Sequence, residues 1–234
     1  EFLDVDDKDF NIDISILKKN LKEAELTNSL PDLIVIVHLG GVLQDMEAIN
    51  NLSKIYNFKV LEDACHAYGS FYPNGKPLGS SFYSDITIFS FHGLKTISTG
   101  EGGLICTSNM KLFERISNFV NLGLKRNNKS EPWLVEASSY GMNLRMSDIN
   151  AALGLSQLED LERRKEIRIN QLKYYSLKHD KELMYLQGSD PQLTSEFRHL
   201  IIFKFHCIKN MKDKLSPYPL LSEKISWTLS LKFE

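Results

Sequence analysis

The chain has 234 residues, 42% of them apolar and 25% charged, and 28 Lys and Arg against 30 Asp and Glu leave a net charge of −2. That balance excludes a basic nucleic-acid footprint and an acidic solvating tail, and it fits a globular protein with a real core. No apolar run reaches the ~18 residues that span a bilayer, no leader pattern opens the chain, and Cys65, Cys106 and Cys207 are too scattered for a metal site or a disulfide framework. A reducing cytoplasm is the expected home, with neither membrane nor nucleic acid as partner.

The opening "EFLDVDD" lacks Met, and Phe2 to Val5 reads as a strand. A fragment with residues missing upstream is therefore expected. "NIDISILKKNLKEAE" reads as a helix capped by Asp13, with Ile14, Leu17 and Leu21 as its buried stripe. "LIVIV" at Leu33 to Val37 and "FKVLEDA" at Phe58 to Ala64 read as strands. Between them Met46, Ile49, Leu52 and Ile55 recur at helical spacing. Strand, helix, strand is a βαβ unit and implies a parallel sheet. "DITIFSF" at Asp85 to Phe91 and "GGLICTS" at Gly102 to Ser108 add two more strands. The first strands are continuous apolar runs, which predicts helices on both faces of the sheet. The class is α/β, a layered helix–sheet–helix domain.

From Ser147 the texture changes. "SDINAALGLSQLEDLERRKEIRINQLKYYSLKHD" predicts a long helix, in two parts or bent, capped by Ser147 and bridging two units. A loop is expected around Pro191, and "RHLIIFKF" from Arg198 to Phe205 reads as a strand of a smaller unit. Past Cys207 no period is evident. The expected organisation is a partial large domain over residues 1–146, a linking helix over 147–180 and a partial small α+β domain over 181–234.

Two strand ends carry polar residues. Glu62, Asp63 and His66 follow Leu61; Ser90, His92 and Lys95 follow Phe89. In open α/β sheets ligands bind beyond the carboxyl ends of the strands. If the two strands are neighbours, a carboxylate, a hydroxyl and a lysine meet at one edge. Pyridoxal phosphate needs such a set: an amine to bond its aldehyde, a carboxylate to keep its ring nitrogen protonated, and a hydroxyl for its phosphate. The glycines of "GEGG" after Lys95 let the backbone turn back. Each residue also has a plain reading. Alone, Lys95 would be a surface lysine, Asp63 a helix cap, Ser90 a strand-end hydroxyl and His66 a packed imidazole. His38 is expected as a satisfied buried histidine, Cys65 as a core filler and Glu101 as structural.

The stretches "EFLDVDDKDFNID", "VLEDACHAYGS", "FSFHGLKTISTGEGGLICTSN" and "YGMNLRMSDINAALGLSQL" together resemble the DegT/StrS family of sugar aminotransferases. The resemblance implies pyridoxal 5'-phosphate as cofactor and an aspartate-aminotransferase-like fold, incomplete here. The lysine loop is most similar to the branch that aminates UDP-linked 4-keto-6-deoxy-N-acetylhexosamines, with glutamate as the amino donor. Lys95 would be the lysine that bonds the cofactor and moves protons. Asp63 would face the ring nitrogen, His66 the phenolic oxygen and Ser90 the phosphate. His92 would either line the substrate pocket or pack. Asn143 would reach the cofactor phosphate of a second subunit, which implies a homodimer; its plain reading is a turn residue. The family's upstream turn that binds phosphate through backbone amides is not in this sequence, nor is its aromatic ring-stacking residue. A catalytically inactive remnant acting in binding or regulation is one rival. A pyridoxamine-dependent sugar dehydratase is another, but that branch replaces the lysine with histidine. A dinucleotide-binding domain would need a G-x-G-x-x-G loop, which "VHLGGVLQDM" lacks.

Overall fold

The structure is a computed structural model and describes residues 1–125, 133–178, 184–188 and 196–205. The loop expected around Pro191 and the stretch beyond Cys207 lie outside the described residues, as does most of the expected small domain.

Four strands form the main sheet: β1 (Leu33–Val37), β2 (Lys59–Asp63), β3 (Ile86–Ser90) and β4 (Gly103–Cys106), hydrogen-bonded in that order. β1, β2 and β3 run parallel, and β4 returns antiparallel to β3. β1 and β2 are joined through α2 (Met46–Tyr56), the expected βαβ unit. α1 (Ile14–Leu26) precedes them. Asp13 caps α1 by accepting from the Ser15 and Ile16 amides, and Asp45 caps α2 through Ala48 N–H. α2 ends on Asn57 in the left-handed conformation, φ 58°.

The core lies on one face of the sheet. Leu17 and Leu21 of α1 and Met46, Ile49 and Leu52 of α2 pack over Ile34, Ile36, Val60 and Phe89. Each such side chain contributes about 1.5–3 kcal/mol when fully withdrawn from water. Three expectations are corrected here. Ile55 is 70% exposed, because the last turn of α2 rotates it outward. Helices cover one sheet face rather than two: Leu33, Val35 and Val37 on the other remain about half exposed among the described residues. Residues 2–5 form no strand beyond a bridge from Val5 to Ile12.

Later elements are less buried. α3 (Met110–Val120) follows β4, and β5 (Leu124–Lys125) pairs with β6 (Glu136–Ala137). The long helix is in two parts, α4 (Asp148–Leu158), capped by Ser147, and α5 (Leu161–Lys178). The expected strand over Arg198 to Phe205 shortens to β8 (Phe203–Phe205), antiparallel to β7 (Met184–Leu186). Residues 196–200 instead dock as an extended segment: Leu43 N–H donates to Glu196 Oε1, Phe197 N–H to Ser70 Oγ, and Leu200 N–H to Gly40 O.

Candidate active site

β2 and β3 are neighbours, so their carboxyl ends adjoin. β2 runs to Asp63 rather than stopping at Leu61, and the two-residue period separates its polar residues. Glu62 points into the core. Its carboxylate accepts from Tyr72 OH at 2.8 Å and lies 3.0 Å from His38 Nε2 and 3.4 Å from Thr87 Oγ1. Gln44 N–H donates to His38 Nδ1, so Nε2 carries the proton that faces Glu62. His38 is thus buried and satisfied, as expected. Asp63 faces the other way, on the face it shares with its register partner Ile88 and with Ser90.

Beyond the strand, Cys65 N–H donates to Asp63 Oδ1 at 3.1 Å. A 3-10 turn, Leu39–Gly41, follows β1, and its Gly40 N–H donates to His66 Nδ1 at 3.2 Å. In the neutral ring the proton then sits on His66 Nε2. Ser90 Oγ accepts from His92 N–H at 3.3 Å, and its own proton remains to donate. His92 is half exposed and lies 3.8 Å from Glu101, an exposed pair of little energetic weight.

Asp63 and Lys95 act on the same neighbours. Burial pushes the Cys65 thiol up to about 12; Asp63 adds to the rise and the charge on Lys95 opposes it. Burial, and then Lys95, hold the His66 imidazole below its ordinary range while Asp63 pulls it back. Cys65 and His66 are each half-buried. A cavity of about 230 Å³ opens elsewhere, beside the start of α1, lined by Asp6, Asp9, Asp13 and Asp45. It contains none of the expected site residues, and its carboxylates would repel a phosphorylated ligand.

The sequence profile described as the DegT/DnrJ/EryC1/StrS aminotransferase family matches residues 1–216. The chain belongs to that family. It is 35% identical over 215 residues to a UDP-4-amino-4,6-dideoxy-N-acetyl-beta-L-altrosamine transaminase of Campylobacter jejuni, covering 89% of this chain and 54% of the relative. To GDP-perosamine synthase of Escherichia coli O157:H7 it is 38% identical over 170 residues, 71% of this chain and 43% of that one. Among solved structures, Helicobacter pylori PseC, an aminotransferase involved in the biosynthesis of pseudoaminic acid, gives a TM-score of 0.75 at 25% identity, covering 100% of this chain and 63% of its own. A family member from Brucella abortus, at 18% identity and TM-score 0.75 over 93% of this chain and 56% of its own, shares the fold. The expected α/β layered sheet of the pyridoxal-phosphate aminotransferases is thereby confirmed over part of its length. The chain spans about half the length of the curated relatives it matches.

In this DegT-family chain two further features of the site escape sequence reading. His199, on the docked segment, brings its ring to 5.0 Å from that of His66. Burial, followed by the charges of His66, Lys95 and Arg168, pushes the His199 imidazole down to about 4. The only trace in the sequence is a polar "RH" ahead of an apolar run. The second feature is the seat that α4 makes for the lysine loop, through Asn150 and Gln157. Asn143 is exposed and bridges to Asn121.

Proposed function

We propose that the chain is the lysine-bearing portion of a pyridoxal-phosphate aminotransferase that moves an amino group from glutamate to the keto carbon of a nucleotide-activated 4-keto-6-deoxy sugar. Family membership supports the cofactor. The names of the Campylobacter and Escherichia relatives support a nucleotide-linked amino sugar as product. The single observation that carries the reading is the adjacency of the carboxyl ends of β2 and β3, which sets Asp63 and Ser90 on one sheet face just ahead of the Lys95 loop.

The residues fit the cofactor's chemistry. The Asp63 carboxylate would hold a proton on a ring nitrogen. His66, neutral and protonated at Nε2, would donate to a phenolic oxygen. The Ser90 hydroxyl would donate to a phosphate oxygen. Pyridoxal phosphate supplies, when bound, an aldehyde for amines and a ring that accepts electrons. Lys95 Nζ would bond that aldehyde at rest and, once released, would carry a proton between the donor's carbon and the ring system. His92, exposed at the loop's edge, would border the substrate. Asn143, exposed, would serve a second subunit of a homodimer. The domain division at residues 146 and 180 belongs to the same reading, as does a cytoplasmic home. No described helix is long and apolar enough to cross a membrane.

The test is the visible absorption of the purified chain mixed with pyridoxal phosphate, followed by borohydride reduction and peptide mass analysis. A band that survives as a reduced adduct on Lys95, and disappears in Lys95→Ala, is expected. An adduct spread over surface lysines, or an identical spectrum in Lys95→Ala, would leave the inactive-remnant reading in place.

A further inference from the structure

We propose that Gln157 is the positioning residue of the lysine loop: its side-chain amide pairs with both backbone polar groups of Ser98 and so fixes the span in which Lys95 stands. Gln157 Oε1 accepts Ser98 N–H at 3.1 Å, and Gln157 Nε2 donates to Ser98 O at 2.5 Å. Nε2 also reaches Leu153 O at 3.1 Å, which orients the amide on its own helix. Asn150 Nδ2 donates to Thr99 O and lies 3.5 Å from Glu101 O. Residues 150 and 157 are two helical turns apart and share one face of α4. Gly154 lies between them on that face; a Cβ there would stand 2.9 Å from Thr99 Cγ2. Asn150, Gly154 and Gln157 thus form one seat.

The loop closes at its base through Thr99 N–H to Phe91 O and Phe91 N–H to Gly102 O. Within it Lys95 N–H turns back to His92 O, and Thr96 and Ile97 are buried. Lys95 therefore lies three residues from the Ser98 contact and four from the loop base. Only an amide side chain offers a donor and an acceptor in the geometry that Ser98 presents. Without it, both Ser98 groups must find water and the loop gains states. An amine held in one place reacts at a far higher effective concentration than one on a wandering loop.

The clamp stands on geometry alone; its consequence for the amine rests on the role proposed for Lys95. Two readouts separate them. The first is amide hydrogen exchange over residues 94–100 in the full chain without cofactor. Gln157→Ala should speed exchange there roughly 5–30-fold, as expected for two lost hydrogen bonds, with α1 and α2 unchanged. Gln157→Glu keeps size and the acceptor but loses the donor, and should speed it about 5-fold; it serves if the alanine variant does not fold. Ser156→Ala removes a hydroxyl that donates to Leu153 O on the same helix and should leave the loop unaltered. The second readout is borohydride trapping of pyridoxal phosphate on Lys95, which should slow in step with exchange. Faster exchange with no trapping even in the wild type would support the clamp and refute the aminotransferase reading. Unchanged exchange in both Gln157 variants, or equal loosening by Ser156→Ala, would overturn the clamp and leave that reading intact.

Discussion

His199 shows how a single side chain reports on the site. Its imidazole is depressed from the ordinary 6.5 to about 4 by burial first and then by His66, Lys95 and Arg168. A histidine with a depressed folded value takes up protons in the unfolded chain before it does so in the folded one. Its contribution to stability is therefore present above about 6.5 and is lost as pH falls from there towards 4. Chemical denaturation between pH 4 and 7 should show stability falling on acidification, with a shallower slope in His199→Gln. Equal slopes in the two proteins would mean that the imidazole is solvated. The sequence singles out Asp63, Ser90 and Lys95 as candidates because each sits at or just past the end of an apolar strand, and strand ends are local features. It does not disclose His199, whose neighbourhood depends on contacts such as Glu196 to Leu43 and Phe197 to Ser70, more than a hundred residues apart. Gln157 is hidden for the same reason: its partner Ser98 is 59 positions away.

Among the elements, the best-read ones are those whose period and caps agree. In α1, Asp13 supplies the start and Leu17 and Leu21 the inward stripe; in α2 the stripe is Met46, Ile49 and Leu52. Ile55 continues the same spacing yet faces solvent, because each step of three residues falls about 60° short of a full turn and the ninth residue after Met46 lies on the opposite side. Truncation should separate the two. Ile49→Ala, at a site with no exposure, is expected to cost about 2–5 kcal/mol in urea unfolding. Ile55→Ala should stay within about 0.5 kcal/mol of the parent. Similar losses at both sites would contradict the one-sided packing of α2. The strand expected over Phe2 to Val5 fails for a reason also written in the residues. Asp4, Asp6 and Asp9 each accept a nearby backbone N–H, from Val5, Lys8 and Asn11. Aspartates that capture local amides remove them from a ladder, so apolar alternation alone misleads there. The return strand over Arg198 to Phe205 is likewise cut short, as residues 196–200 spend their hydrogen bonds on the turn after β1 and on Ser70.

At the scale of the molecule, the sheet sets two of the candidate residues on its less covered face. Asp63 and Ser90 share that face with Leu33, Val35 and Val37, while the buried face carries Glu62 and its partners. A continuous apolar run promised cover on both sides, and a run of that kind is indeed what a doubly covered strand needs. The described residues supply helices for one side. Contiguous exposed apolar surface of this sort binds hydrophobic dyes and promotes association. The double variant Leu33→Lys with Val35→Lys places charge on the outer face of β1, on a strand paired on one side only among the described residues. Both positions precede the level of Asp63, which pairs with Val37. Dye fluorescence and concentration-dependent light scattering should fall together in that variant. Ile55→Lys adds a charge at an isolated exposed position and should change neither. If instead the double variant binds dye as strongly as the parent, the exposed apolar surface responsible lies on α3 and α4, where Phe113 and Ile149 are also turned outward, and the sheet face is not the site of adhesion.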